Sequence, residues 1–279
     1  MTSAFWTACA VVALAGLLSG CASRSKIQPD LEFTKVSDVV YSPAGWPKAL
    51  KADLYLPEGT AARPAVLLIH GGSWSSADHR WWMALIAHKL ARRGFVVLNA
   101  TYRGAPEFRY PAPVDDLREA VKWLRRNAER YHINSGKIAT YGFSAGGQLA
   151  AMLGTLDGPP EVRVQAVVAV AAPTDLIDYP DTIVVPRYLG ATIDQNPALY
   201  REASAFTHVT PDDPPVFQYQ GTADTTVSPH HSEVFKAALD KAGIRNELHW
   251  VEGRGHAAML IFAGREEDEA IDFLTDVLR

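Results

Sequence analysis

The chain has 279 residues, 48% of them hydrophobic and 21% charged, and a formal net charge of −4. That is enough apolar chain for one large α/β domain, which commonly runs to about 250 residues, and it excludes disordered, collagenous and multi-span membrane proteins. Without a long basic run, nucleic-acid binding has no electrostatic support. The cysteines, Cys9 and Cys21, exclude a disulfide framework, and neither has a zinc-like spacing to histidine.

In chain order, residues 4–20 come first, an uncharged run rich in Ala, Val and Leu. The run is shorter than the about 20 residues a membrane-spanning helix needs, and it ends in small residues as a secretory signal does. Leu18-Ser19-Gly20-Cys21 resembles the bacterial lipobox, where cleavage precedes a cysteine that then carries lipid. The departure is that Met1 to Trp6 contain no Lys or Arg, so only the amino terminus supplies positive charge. The expectation is therefore a lipoprotein signal peptide over 1–20, with Cys21 lipidated and residues 21–32 a polar tether. The protein would then sit in the bacterial envelope, on the outer membrane rather than the inner, since Ala22 and Ser23 follow the cysteine in place of Asp. An ordinary cleaved signal and an uncleaved anchor are the alternatives.

Residues 33–279 are expected to form the folded domain. Thr34–Tyr41 and Leu50–Leu56 alternate apolar and polar residues around a turn-forming SPAGWPK segment, which predicts an antiparallel strand pair. Continuous apolar runs follow at Ala65–Ile69, Phe95–Asn99, Lys137–Tyr141 and Val164–Ala171, as suits parallel strands buried on both faces. Helical patterns separate them at His79–Arg93, Val114–Tyr131 and Ala145–Leu156, the second with Val114, Leu117, Val121 and Leu124 at helical steps. Val216–Tyr219 and Glu247–Val251 predict two more strands, and Pro229–Ala242 and Arg265–Leu278 two more helices. The alternation implies α/β architecture: a doubly wound, mostly parallel sheet with helices on both faces. Residues 173–215 are irregular and longer than an ordinary connection, and are expected to cap a binding site.

The chemistry falls at strand ends. Gly142-Phe143-Ser144-Ala145-Gly146 lies between a strand and a helix, the context in which G-x-S-x-G projects a nucleophilic serine. Ala145 opens the helix, leaving its N–H available to a reacting carbonyl. His70-Gly71-Gly72-Ser73-Trp74 follows the AVLLI strand and matches the glycine loops that add oxyanion donors, with His70 expected to brace the loop. The order Ser, acid, His points to Asp224 in QGTAD and His256 in GRGH, each just past a strand. Asp175, Asp178, Asp212 and Asp213 fit less well, as do His249 inside a strand and His230 and His231, which start a helix and are expected to face solvent. Trp74, Trp81, Trp82 and Tyr110 either line an acyl or aryl pocket or simply pack at the surface.

On these residues the chain resembles the α/β-hydrolase esterases of the HGGxW type, close to feruloyl/acetyl-xylan esterase-like carboxylesterases and kynurenine-formamidase-like enzymes. The resemblance runs from about Val39 to the C-terminus and takes in TYRGAPEFRYPAPVDDLREAVKWLRRNA, GTADTTVS and GRGHA. It implies a triad of Ser144, Asp224 and His256, and an oxyanion hole of the Gly72, Ser73 and Ala145 N–H groups. It also implies a small-molecule ester substrate and no metal or organic cofactor. Ser73 in the glycine loop and Gln148 in place of His or Asn are departures, and neither touches the triad. The competing readings are an amide hydrolase of the formamidase or prolyl-peptidase kind, and a non-catalytic lipoprotein that keeps the fold for binding.

Overall fold

The computed structural model describes residues 30–179, 183–261 and 264–279. The expected signal peptide, Cys21 and most of the tether lie outside the described residues. The chain is held to the fold from Leu31, whose N–H donates to Arg92 O, and from Glu32, whose carbonyl accepts Glu58 N–H, both at 2.9 Å.

One sheet of eight strands organises the molecule: β1 (Phe33–Val40), β2 (Lys51–Pro57), β3 (Arg63–Ile69), β4 (Val96–Ala100), β5 (Ile133–Phe143), β6 (Ala166–Val170), β7 (Val216–Gly221) and β8 (Asn246–Val251). Their spatial order is β1-β2-β4-β3-β5-β6-β7-β8. β2 pairs antiparallel with β1 and with β4, and all the other pairings are parallel. The helices are α1 (Ala84–Arg92), α2 (Ala112–Arg126), α3 (Ala145–Thr155), α4 (Val184–Leu189), α5 (Pro197–Glu202), α6 (His230–Ala242), α7 (His256–Ile261) and α8 (Arg265–Val277).

The continuous apolar strands divide their side chains between two cores, as the two-residue period of a strand requires. On β3, Ala65, Leu67 and Ile69 join the core under α2, α3 and α6, and Val66 and Leu68 join the core under α1 and α8. The helical stripe Val114, Leu117, Val121 and Leu124 is buried in the first core.

Several expected elements have other bounds. The pattern at His79–Arg93 is a 3₁₀ turn, Arg80–Met83, followed by α1. The helix expected to reach Tyr131 stops at Arg126, where the Asn127 side chain turns back to donate to Trp123 O (2.9 Å). The irregular stretch contains α4, α5 and a 3₁₀ turn at Ala205–His208.

Candidate active site

Four parallel strands, β3, β5, β7 and β8, deliver the candidate residues at their carboxyl ends. Ser144 sits between β5 and α3 with φ 56° and ψ −124°. A non-glycine residue there costs on the order of 1–3 kcal/mol, so its surroundings must hold it. Ser144 N–H donates to Val170 O (2.8 Å) and Ser144 O accepts from Gln148 N–H (3.0 Å). The flanking glycines are steric necessities: a Cβ on Gly142 would fall 2.0 Å from Gly146 O, and one on Gly146 would fall 2.2 Å from Ile69 O. The elbow can pack this tightly against β3 only without those carbons.

Residues 112 and 32 positions apart in the chain meet here. His256 Nε2 lies 2.8 Å from Ser144 Oγ, and His256 Nδ1 lies 2.7 Å from Asp224 Oδ2. An ionised carboxylate only accepts, so Nδ1 carries the proton and Nε2 is left to accept from the serine hydroxyl. Asp224 Oδ1 accepts from Thr226 N–H and Val227 N–H, both at 2.9 Å. Burial pushes the Asp224 carboxyl up, but the bonds from His256, Val227 and Thr226 outweigh it and hold it below the usual carboxylate range. Asp224 is buried, whereas the His256 side chain keeps 16% of its surface exposed, enough to meet a substrate. The Phe143 ring lies 5.0 Å from the imidazole.

Ser144, His256, Gly72, Ser73 and Ala145 all line one cavity of about 620 Å³. Ser73 and Trp74 both have positive φ, 55° and 54°, so the loop after β3 is sharply coiled. It is held from behind. Trp74 Nε1 donates to Gln148 Oε1 (2.9 Å), Gln148 Nε2 donates to Ala203 O (2.8 Å), and the Trp74 ring stacks on Tyr188 at 4.5 Å. Ala105 N–H donates to Trp74 O (2.8 Å). The stretch carrying Ala105 is tied down in turn by Arg103, whose guanidinium pairs with the buried Asp116 (2.7 Å), while Asp116 also accepts from Trp46 Nε1 (2.7 Å). His70 lies wholly buried below the loop, its Nδ1 donating to Gly71 O (2.6 Å).

Among the described residues, no Asp, Glu, Lys or Arg lines the cavity. Its walls include Trp81 and Trp82 from the 3₁₀ turn, Leu85 from α1, Val184 from α4, and Ala257 and Leu260 from α7. Trp74, Trp81 and Trp82 therefore line the pocket, but Tyr110 does not. Its ring packs edge-on against Tyr188 and its hydroxyl donates to Glu202 O (3.2 Å). His231 departs from its expected exposure and is buried at 1%, because the start of α6 packs on the chain after β6: Thr174 Oγ1 donates to His231 O (2.6 Å) and the ring lies 5.5 Å from Tyr179. Tyr188 escaped the motif reading, while Gln148 entered it only as a departure and Gln220 only as the first residue of QGTAD, neither with a role. Their one sequence signal is an amide or phenol at an otherwise apolar position, as in VFQYQ.

The sheet order and the strand-to-helix elbow define an α/β-hydrolase. The chain belongs to the BD-FAE family, whose profile matches residues 52–239. It is 28% identical over 229 residues to esterase LipC of Mycobacterium tuberculosis, an alignment covering 74% of this chain and 56% of LipC. The chain thus spans about half the length of the curated relatives it matches. Among solved structures it is similar to a truncated carbohydrate esterase from gut microbiota, with a TM-score of 0.75 and 25% identity, over 89% of this chain and 97% of the other. It is likewise similar to the propionate-bound Est2 esterase of Thermogutta terrifontis, with a TM-score of 0.72 and 25% identity, over 89% and 95%.

Proposed function

We propose that the protein is a serine carboxylesterase that cleaves small, uncharged acyl or aryl esters through a covalent acyl-enzyme. The observation that carries this reading is the unbroken chain Asp224–His256–Ser144, set on a strained elbow and opening onto an apolar cavity. Ser144 Oγ attacks the ester carbonyl as its proton passes to His256 Nε2, and the carbonyl oxygen gains charge under the N–H groups of Gly72, Ser73 and Ala145. Collapse of the tetrahedral intermediate breaks the bond to the alcohol, which takes the proton from Nε2. Water then gives a proton to Nε2 and attacks the acyl-enzyme, releasing the acid and restoring Ser144. Asp224 keeps the imidazole in the Nδ1–H tautomer and stabilises the imidazolium.

The absence of charged walls among the described residues favours neutral substrates, since a buried substrate charge would go unpaired. Esterase relatives and a propionate-bound neighbour support short acyl esters, and the carbohydrate esterase makes acylated sugars a natural alcohol class to include. The test is hydrolysis of p-nitrophenyl acetate, propionate and butyrate, with acetylated xylan and N-formylkynurenine alongside as carbohydrate and amide arms. Turnover of the esters and its loss in Ser144→Ala are expected. Undiminished turnover in that variant, or a fluorophosphonate label on another residue, would overturn the reading.

Lipid anchoring at Cys21 in the bacterial envelope is a separate proposal, supported by LSGC after an apolar run. One acyl chain binds membranes only marginally, so firm anchoring requires several chains. Cys21→Ser is expected to leave the membrane fraction or remain unprocessed, and unchanged fractionation and migration would contradict the anchor.

A further inference from the structure

Gln220 is the last but one residue of β7, wholly buried, and it faces the acid rather than the substrate. Along β7 the side chains alternate, so that Phe217 and Tyr219 enter the core under α1 and α8, while Gln218 and Gln220 point to the opposite face. Gln220 Nε2 lies 3.1 Å from Asp224 Oδ2, the same oxygen that accepts from His256, and 3.2 Å from Val227 O. Its Oε1 lies 3.4 Å from Ser232 Oγ on α6. The orientation of the amide follows from its neighbours: a carboxylate and a carbonyl are both acceptors, so a flipped amide would set oxygen against oxygen twice.

We infer that Gln220 is a positioning residue for the hydrolytic relay, fixing the Asp224 carboxylate and the turn that carries it so that Oδ2 meets His256 Nδ1. The inference rests on the reading of Asp224 as the relay's acid. With Gln220 in place, Asp224 receives four donors: Thr226 and Val227 N–H on Oδ1, and His256 and Gln220 on Oδ2. That saturates a carboxylate's ordinary acceptor sites and leaves it one rotation. The same NH₂ group closes the acid turn, because Val227 gives its N–H to Oδ1 and lends its carbonyl to Gln220. Gln220 also withdraws part of the charge that Asp224 presents to His256. The other titratable groups that feel this carboxylate are His231 on α6 and Tyr179 in the segment after β6. The Tyr179 hydroxyl is committed to Thr226 O (3.2 Å), leaving Gln220 as the side chain that shares Oδ2 with the imidazole.

Gln220→Met keeps the length of the side chain and removes the donor. A loosened carboxylate misorients the imidazole, so kcat should fall about 10-fold or more with KM little changed, an effect confined to the chemical step. Asp224, relieved of one donor, presents more negative charge to the imidazolium, so the acid limb of kcat/KM should move to higher pH by about half a unit or more. Gln220→Glu preserves shape but places a second acid against Asp224, and should move the limb further in the same direction. In an Asp224→Asn background the Gln220→Met change should have no further effect on kcat, because residues acting as a unit are not additive. If Gln220→Met and Gln220→Glu both fold, whatever their Tm, yet keep wild-type kcat and acid limb, Gln220 is only a packing residue and the inference fails. Retention of activity by Asp224→Asn alone would instead remove the reading beneath it, so the two failures are distinguishable.

Discussion

Asp224 is a sharper test of the site than Ser144, because its surroundings dictate what an isosteric change must do. In Asp224→Asn the Thr226 and Val227 N–H groups hold the amide oxygen in the place of Oδ1. The NH₂ group is then turned towards His256 Nδ1. Facing a donor, the imidazole moves its proton to Nε2 and can no longer take one from Ser144. The expected loss in kcat is about 10⁴, comparable to that of Ser144→Ala or His256→Ala, with the Ser144→Ala, His256→Ala pair scarcely worse than either change alone. Steady-state kinetics on p-nitrophenyl butyrate check this. Near-wild-type turnover by Asp224→Asn would mean that another acid serves His256. The three positions were legible because each follows a recognisable strand in a glycine-marked turn. Gln148 and Gln220 stand next to those motifs, but no local pattern assigns them a role: Gln148 holds Trp74, 74 residues away, and Gln220 reaches Asp224, four residues on, only because the chain turns back after β7.

At the scale of elements, the strands were the most legible, since four uninterrupted apolar runs bounded by Gly or Pro leave little choice but a sheet buried on both sides. The walls of the cavity were harder to read. α4 and α5 are six residues each, less than two turns, too short for a periodic stripe to emerge. α7, HAAMLI, is apolar almost throughout and so shows no polar face. The 3₁₀ turn before α1 is the most consequential of these details. It leaves Trp81 73% exposed, and Leu85 follows four residues later on the same wall, 70% exposed. Such residues contribute little to folding, so truncating them should cost less than about 0.5 kcal/mol of stability. Covering them with substrate is different, because each buried methylene is worth about 0.8 kcal/mol. A Trp81→Ala, Leu85→Ala double variant should hydrolyse the acetyl ester nearly normally, while the ratio of hexanoyl to acetyl kcat/KM falls about 5–10-fold. An equal loss along the whole acyl series would remove these residues from substrate contact. Arg80 keeps this wall in register with the sheet, pairing with Asp78 (2.8 Å) and with Asp53 (2.9 Å) on β2.

For the molecule as a whole, the buried His70 ties the stability of the fold to pH. Its Nδ1–H is used by Gly71 O, its ring stacks on Tyr102 at 4.6 Å, and Nε2 has no hydrogen-bond partner among the described residues. Protonation would therefore place a cation in an apolar layer with one donor unmet. Burial is the main cause that drives its pKa down to about 4, with nearby His79 adding to it and the Gly71 carbonyl opposing. The unfolded chain protonates His70 near 6.5. Between those values the unfolded state binds the extra proton, so the stabilisation present above about 6.5 is lost progressively as pH falls towards 4. At one unit per about 1.4 kcal/mol, the loss from this residue between pH 7.5 and pH 5 is about 2 kcal/mol. His70→Gln removes the titration along with the ring. It should be less stable than wild type at pH 7.5, and its disadvantage should shrink by about 2 kcal/mol at pH 5. Urea unfolding of both proteins at the two pH values measures that difference. A disadvantage that stays constant would mean that His70 takes its proton as readily inside the fold as in the open chain, and the layer beneath the glycine loop would then have to be far more accessible to water than its packing against Tyr102 allows.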